Sequence, residues 1–320
     1  MKREIKVALL LCLILLVSVL MFTTRNKPNQ TVEETTPVPD YYLFELNEDG
    51  NYSVVGLQHC TDTEIVIPAK YNRILVTDIG DAAFQDCVFL KSVTIFDSVT
   101  SIGNNAFEGC SGLTRIAIPN SVTSIGWAAF RGCDSLESIT IGKSVTSIGG
   151  HAFSGCDSLT SITIPNSVTT IGDDAFFSCN SLINISIPYG VTSIGSYAFW
   201  YCDSLTGMAI PNTVTSVGRS AFSDCKNLKR IMISNSMTSI SEYTFSDCWR
   251  LTDVTIPDSV TSIGERAFWH CHTLANITFE GTVAQWNAIS KDSSWNENTG
   301  NYTIYCTNGT IAKDGTVTFN

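Results

Sequence analysis

The chain has 320 residues, of which 44% are hydrophobic and 15% are charged, and its formal net charge is −11 at pH 7. From residue 41 onward it carries 14 Lys and Arg residues against 26 Asp and Glu residues, a net charge of −12. This excess of negative charge argues against nucleic acid and anionic lipid as partners.

The N-terminal segment, residues 1–22, has the pattern of an export signal. Basic residues among the first six precede an apolar run from Val7 to Phe22 in which Ser18 is the only polar residue. A basic region followed by an apolar region is typical of a signal sequence, and basic residues on the inner side orient the rest of the chain outward. No small-x-small cleavage motif follows, which favours a signal anchor over a cleaved signal peptide. We therefore expect a secreted protein or one on the outer face of a membrane, which it contacts only through this segment.

The next two segments lead into a repeat. Residues 23–40 are rich in Thr and Pro and carry no apolar period, so we predict an extended linker. Residues 41–78 are predicted to form an N-terminal cap that includes an irregular first coil.

Residues 79–280 consist of units of 23 residues. One unit, Leu136 to Asp157, reads L-x-x-I-x-I-x-x-S-V-T-S-I-G-x-x-A-F-x-x-C-D, and its neighbours keep the same apolar positions. Self-similarity at a fixed period predicts a solenoid, because a unit this short buries its apolar face only against its neighbours. The cysteines that mark the period are Cys87, Cys110, Cys133, Cys156, Cys179, Cys202, Cys225, Cys248 and Cys271.

Each unit predicts two short strands and a turn. The I-x-I segment alternates as a half-buried strand does, and a residue such as Pro119 ends it. V-T-S-I predicts a second extended piece, followed by a glycine such as Gly103 for which we expect a backbone conformation that is costly for other residues. A-F-x-x-C is too short for a stable helix and predicts one helical or 3₁₀ turn. The predicted fold class is a repeat solenoid, mostly β, with short parallel strands joined by turns or 3₁₀ segments.

Two columns of polar residues bear on the stacking. Threonine recurs at one position of every unit from Thr77 to Thr261, and stacked threonines form strands whose hydroxyls bond along the stack. A regular threonine ladder also has the spacing to match an ice lattice, which we favour less. One unit departs from the pattern, with Ser234, Met237 and Ser241 in place of Pro, Val and Gly, and we expect a local distortion there.

The L-x-x-I-x-I core resembles the leucine-rich repeat, and the unit with S-V-T-S-I-G-x-x-A-F-x-x-C is similar to the BspA-like class of these repeats. Cys60 through Pro68 resemble the irregular first coil of that class, and Gly281 through Cys306 resemble its closing segment, which predicts a C-terminal cap over residues 281–320. The resemblance implies a bacterial or protist surface or secreted protein used in adhesion to host proteins or other bacteria. It implies no catalytic activity.

The cysteine column is predicted to consist of nine free, buried thiols that pack as small hydrophobic groups. Stacked side chains point the same way rather than toward each other, which disfavours disulfides within the column. Cys60 and Cys306 belong to opposite caps and are predicted to lie too far apart to pair. No C-x₂-C pair or other ligand set predicts a metal site, and no cofactor is expected.

Catalytic motifs are absent from the sequence, which contains no G-x-S-x-G, no H-E-x-x-H and no phosphate-binding loop. An enzyme is therefore the least favoured class, and the best candidates for function are aromatic residues at variable positions. Solenoids vary from unit to unit on a binding face, and aromatic residues are enriched at interface anchors. The candidate partner-binding residues are Phe177, Tyr189, Tyr197, Trp200 and Tyr201.

These residues leave three interpretations open. The first is adhesion, in which the rings contact an extracellular protein of a host or of another bacterium. The second is a carbohydrate-binding accessory module whose rings stack on sugars. The third is a spacer without a ligand, whose rings lie over gaps between turns. We expect a monomer in each case.

Overall fold

The computed structural model describes residues 39–320, so the predicted export signal and most of the linker lie outside the described residues. The described chain is a solenoid of parallel coils. Strand pairs join residues 23 positions apart, as in Ser147 with Thr170 and Ile148 with Ile171. The predicted solenoid is confirmed. Over residues 39–320, no helix has the length and apolar character needed to cross a membrane.

Each coil has three sides, and we number the coils by their cysteines, from coil 1 with Cys87 to coil 9 with Cys271. The long-strand side carries the I-x-I strands and the short-strand side carries the S-I strands. The third side, which we call the rim, consists of the turns from the conserved-position glycine to the cysteine and the residues just after it. The long-strand side consists of β6 (Ser92–Ile95), β8 (Arg115–Ala117), β10 (Ser138–Thr140), β12 (Ser161–Thr163), β14 (Asn184–Ser186), β16 (Gly207–Ala209), β18 (Arg230–Met232), β20 (Asp253–Ile256) and β22 (Asn276–Phe279).

The short-strand side runs beside it with two-residue strands. These are β7 (Ser101–Ile102), β9 (Ser124–Ile125), β11 (Ser147–Ile148), β13 (Thr170–Ile171), β15 (Ser193–Ile194), β17 (Ser216–Val217), β19 (Ser239–Ile240) and β21 (Ser262–Ile263).

Both ends of the solenoid carry irregular strands, and antiparallel pairs occur there. The N-terminal strands are β1 (Tyr42–Leu46), β2 (Tyr52–Leu57), β3 (Glu64–Ile67), β4 (Lys70–Tyr71) and β5 (Ile74–Ile79). The C-terminal elements are α1 (Val283–Ala288), β23 (Ser290–Lys291), β24 (Thr303–Cys306), β25 (Gly309–Ala312) and β26 (Val317–Phe319). The pairs β1–β2, β4–β5, β24–β25 and β25–β26 are antiparallel.

The core is a set of side-chain columns that run along the solenoid. Successive rings of the Phe column stack with centroids 5.2–5.7 Å apart from Phe84 to Phe268, and each ring is at most 1% exposed. Full burial of one such side chain contributes roughly 1.5–3 kcal/mol. The columns therefore provide one continuous core that no single coil forms alone.

The cysteine column lies beside the phenylalanines. Eight of its members, from Cys110 to Cys271, are free and buried, and each thiol donates to a Phe carbonyl oxygen at 3.0–3.2 Å. Burial raises the pKa of these thiols, that of Cys110 to about 12, because a thiolate is poorly solvated in an apolar core.

The prediction of nine free thiols is wrong for Cys87, which forms a disulfide with Cys60. The Cα atoms are 5.0 Å apart, within the range that a disulfide spans. The argument against disulfides holds for identical coils, in which each cysteine points the same way. Cys60 belongs to the irregular first turns, so its side chain is free of that constraint and meets the first member of the column.

The glycine that follows each short strand is required for space rather than for conformation. Its φ lies outside the left-handed region in every regular coil, contrary to the prediction. A Cβ at Gly126 would lie 2.6 Å from the backbone of Gly103, and one at Gly195 would lie 2.5 Å from the amide nitrogen of Asp173. Real Cβ atoms do not approach a backbone so closely, so a side chain at this position must push two coils apart.

The rim is built from turns, which decides between the turn and 3₁₀ alternatives. Two residues in each coil have a φ of about +50° to +70°, for example Tyr197 and Tyr201 at 58° and 60°. Between them, alternate N–H groups donate to the next coil, as from Phe199 to the carbonyl oxygen of Ala221 at 2.8 Å. The left-handed residues direct these donors along the solenoid, so the rim forms a third ladder.

Coil 8 interrupts the short-strand ladder, and the expected distortion is present. In coil 7, the Thr215 N–H donates to Thr192 and the Gly218 N–H to Ile194, both at 2.9 Å. In coil 8, Thr238 and Ser241 make neither bond within the described chain, and the sheet that starts at β1 ends at β17. The Ser241 hydroxyl instead donates to the Val217 carbonyl oxygen at 2.6 Å.

The cause is the side chain of Ser241 at the position where other coils need glycine. The long-strand ladder and the rim ladder both continue through coil 8, with β16, β18 and β20 paired in register. The long-strand side has its own interruptions, between β10 and β12 and between β14 and β16, and no side chain at those points explains them.

Candidate functional site

The rim of coils 5 and 6 gathers four of the five predicted aromatic residues. Phe177 lies in the turns after β13, and Tyr197, Trp200 and Tyr201 lie in the turns after β15. The centroid of Trp200 is 5.0 Å from that of Tyr201, 5.1 Å from that of Tyr197 and 5.4 Å from that of Phe177. All four rings are half-buried. We call this group the aromatic platform.

Tyr189 does not belong to the platform. It lies in the turn between β14 and β15, on a different part of coil 6, and its side chain is 78% exposed. Over residues 39–320 it makes no ring contact with the other four. Membership of the same coil therefore does not place a residue on the same side, and the group predicted from the sequence contains four rings rather than five.

A carboxylate of the next coil fixes the orientation of Trp200. Its Nε1–H donates to Oδ2 of Asp224 at 3.0 Å. Burial raises the pKa of Asp224, and the charges of Asp247 and Asp203 also raise it, while the bond from Trp200 acts in the opposite direction. The platform is thus bordered by carboxylates that raise one another's pKa, which marks a local excess of negative charge.

The other edge of the platform is also acidic. Asp174 in coil 5 lies 3.6 Å from His151 through Oδ2 and Nε2. Burial raises the pKa of Asp174, and the charge of Asp173 raises it further against the effect of His151. Carboxylates therefore lie in the coils on both sides of the rings.

Sequence analysis missed these polar members of the site. Asp203, Asp224 and Lys226 occupy the positions before and after the cysteine, which vary without any common residue type. A usable signal exists, because these positions recur every 23 residues and hold Asp or Lys in coils 6 and 7. Reading each variable column as a surface would have shown the carboxylates beside the rings.

Two platform residues have a costly backbone conformation. Tyr197 and Tyr201 have positive φ, and the column of Tyr201 holds Gly109, Gly132 and Gly155 in other coils. A bulky residue in the left-handed region costs about 1 kcal/mol or more relative to glycine. Coil 6 places tyrosines at both of its strained positions.

The short-strand side offers a second concave surface, but its charged groups are already paired. A cleft of about 890 Å³ runs over coils 7 to 9 and is lined by Ser241, Arg219 and Lys291. Arg219 pairs with Glu242 at 3.1 Å, and Lys291 donates to the carbonyl oxygen of Ile289 at 3.0 Å. No group of His, Cys, Asp and Glu within residues 39–320 is placed to hold a metal ion.

The geometry of coils with a long strand, a short strand and a turn agrees with a comparison to known families. The model described as BspA type leucine-rich repeat region matches residues 77–206 and 192–311, in six copies. The chain belongs to the BspA-type leucine-rich repeat family. The predicted resemblance is confirmed, and this family is one of repeat proteins rather than one defined by a catalytic site.

Solved structures of other leucine-rich repeat proteins are similar to this chain. A leucine-rich cell surface protein from Faecalibacterium prausnitzii is 27% identical, with 80% of this chain and 98% of that chain covered and a TM-score of 0.40. A leucine-rich repeat protein from Bacteroides ovatus is 29% identical, with 75% and 82% covered and a TM-score of 0.36. A leucine-rich repeat protein from T. pallidum is 22% identical, with 75% and 91% covered and a TM-score of 0.43. A comparison with curated protein sequences finds no match.

Proposed function

We propose that this protein is an exported, surface-displayed adhesion protein that binds another protein through the rim of coils 5 and 6. Export is inferred from the basic and apolar pattern of residues 1–22. The Thr- and Pro-rich residues 23–40 would hold the solenoid away from the membrane surface.

The distribution of variation supports binding at the rim. The inward columns keep one residue type from coil to coil, because each must fit the coil before and after it. Rim positions are free of that constraint, and in coils 5 and 6 they hold four aromatic residues in mutual contact. Aromatic side chains supply large contact areas at a small cost in conformational entropy, which suits an interface anchor.

The observation that carries the proposal is the backbone of Tyr197 and Tyr201. Both residues have positive φ at positions where glycine is more stable. Strained residues cluster at functional sites, because the surrounding fold tolerates the strain for the sake of a contact. Neighbouring coils stack with glycine at these positions, so the stack itself has no need of the rings.

The test uses the full chain and a double variant, Phe177→Ala with Trp200→Ala. Binding to a panel of extracellular matrix proteins and of glycans is measured on a surface sensor. Trp127→Ala is the matched control, since Trp127 is an exposed tryptophan (45%) of coil 3. We expect the parent and the control to bind a matrix protein and the double variant to lose that binding.

Circular dichroism of both variants verifies that the solenoid is intact. Unchanged binding by the double variant would remove the rim from the proposal. A parent that binds nothing in either panel would favour the spacer interpretation, and glycan binding that depends on Trp200 would favour the carbohydrate-binding module.

A further inference from the structure

The rim of coils 6 to 8 already contains a bound cation, supplied by the chain itself. Lys226 Nζ lies 5.4 Å from the ring centroid of Tyr201 and 5.9 Å from that of Trp249. The same nitrogen is 3.1 Å from Oδ2 of Asp203. An ammonium group between two aromatic faces and a carboxylate is stabilised by both kinds of attraction.

The pattern repeats farther along the rim with guanidinium groups. Arg219 lies 4.8 Å from the ring centroid of Tyr243. Arg266 lies 5.9 Å from Tyr243 on its other contact and 5.5 Å from Trp269. From coil 7 to coil 9, therefore, rim rings and the cations of the chain alternate.

Coils 5 and 6 have the rings without the cations. Within residues 39–320, no Lys or Arg side chain lies over Phe177, Tyr197 or Trp200. Residues 136–204, which form coils 4 to 6, contain five acidic residues and one basic residue, Lys143, so their net charge is −4. The platform therefore combines open aromatic faces with uncompensated carboxylates.

We propose that the aromatic platform binds the lysine and arginine side chains of a basic segment of a partner protein. This inference rests on the proposed function and names the chemistry of the partner. A partner cation over Trp200 would lie near Asp224 on one side and Asp174 on the other, in the arrangement that Lys226 has with Tyr201 and Asp203. The net charge of −12 from residue 41 onward attracts a basic partner from a distance and raises its association rate.

A sugar uses the same rings differently. Stacking of a neutral sugar on Trp200 depends on the apolar ring face and gains nothing from the net charge of the rim, so its affinity is insensitive to salt. A cation–π contact with neighbouring carboxylates weakens as salt screens the charges. Salt dependence and charge variants therefore separate the two ligands.

The experiment measures the affinity of the full chain for three fluorescent probes. These are a peptide of alternating arginine and glycine, a peptide of alternating glutamate and glycine, and a neutral hexasaccharide. We expect only the arginine peptide to bind, and we expect its affinity to fall as salt is raised. Trp200→Ala should weaken that binding about tenfold, the effect of losing one partly desolvated cation–π contact, and Trp127→Ala should leave it unchanged.

Two charge variants give the sharpest test. Asp224→Asn keeps an acceptor for the Trp200 N–H but removes the negative charge, and it should weaken the arginine peptide severalfold. Lys226→Ala uncovers Tyr201, Trp249 and Asp203 and should strengthen it severalfold. Lys229→Ala, which removes the same charge from coil 8 outside the rim, is the control for a general change in net charge.

The outcomes distinguish this inference from the proposed function. Equal binding by Trp200→Ala, or equal strengthening by the two lysine variants, would overturn the inference, because the peptide would then be held by net charge alone. Trp200-dependent binding of the hexasaccharide, or of a matrix protein in a manner insensitive to salt, would also overturn it while leaving the platform as a binding site. Absence of binding to every probe and to the matrix-protein panel would overturn both.

Discussion

Coils 6 and 8 both depart from the repeat, and they do so on different sides. Coil 6 changes its rim, where Tyr197 and Tyr201 occupy strained positions, and its short-strand ladder remains intact on both faces. Coil 8 changes the short-strand side, where Ser241 replaces glycine, and two ladder hydrogen bonds are missing. The side on which a substitution falls therefore decides whether it changes the surface or the stack.

The physical reason is the distance to the next coil. At the glycine position the neighbouring backbone is 2.5–2.6 Å from a virtual Cβ, so no side chain fits without a displacement. At the rim the side chains point outward, and a tyrosine costs only the strain of its own backbone. The rim is thus the side on which this fold accepts functional variation.

The largest effect is expected where coils 6 and 8 do not differ, in the thiol column. Burial raises the pKa of Cys202 and of Cys248 well above the ordinary value of 9.0. The unfolded chain ionises these thiols near pH 9, so their contribution is fully present below that pH and is lost as pH rises toward the folded-state pKa. Each thiol destabilises the fold by about 1.4 kcal/mol per pH unit.

Eight such thiols together amount to about 11 kcal/mol per pH unit, similar to the whole stability of a domain. We expect cooperative unfolding near pH 10, with ultraviolet absorbance of thiolate appearing together with the loss of circular dichroism. Replacing Cys179 and Cys202 with Ala should make the decline less steep. Thiolate absorbance that rises while the dichroism is unchanged would contradict the burial of the column.

The second prediction copies the defect of coil 8 into coil 6. Gly195→Ser places a side chain 2.5 Å from the backbone of Asp173, and we expect a loss of about 3 kcal/mol from displacement of the coil and two lost hydrogen bonds. Urea unfolding measures it. Gly207→Ser is the matched control, since its Cβ would meet nothing closer than Arg230 at 3.6 Å, and equal losses in both variants would refute the steric explanation.

The third prediction repairs coil 8. Ser241→Gly removes the side chain that separates β17 from β19, and we expect a gain of about 1 kcal/mol as two ladder hydrogen bonds form. Hydrogen exchange of the Thr238 amide should slow to the rate of its counterpart Thr215. A Thr238 amide that is already as protected as Thr215 in the parent would show that the ladder is continuous there.

Much of this fold follows from the sequence because burial repeats. The Phe and Cys columns each fill one position of the core, so their period predicts the stacking. The Cys60–Cys87 disulfide was not predictable in that way, because Cys60 lies in turns that have no repeat to compare. The role of the glycines was misread because a close approach between coils leaves the same residue preference as a positive φ.

The candidate site was predictable only in part. The aromatic residues stand out because Phe177 and Trp200 replace polar residues at one position. Asp224 and Lys226 do not stand out, since charged residues are ordinary at the surface. The left-handed positions also carry no sequence signal, because Ala, Asn, Asp and Tyr all occupy them.

The smallest expected effect is the one that tests the account most directly. Tyr201→Gly restores the residue that coils 2, 3 and 4 have at this position. The central claim is that the ring serves a partner and not the stack, so its lost contacts should be offset by the release of backbone strain. We predict a free energy of unfolding within about 0.5 kcal/mol of the parent. A loss of about 2 kcal/mol or more would show that Tyr201 is a structural residue and would contradict the account.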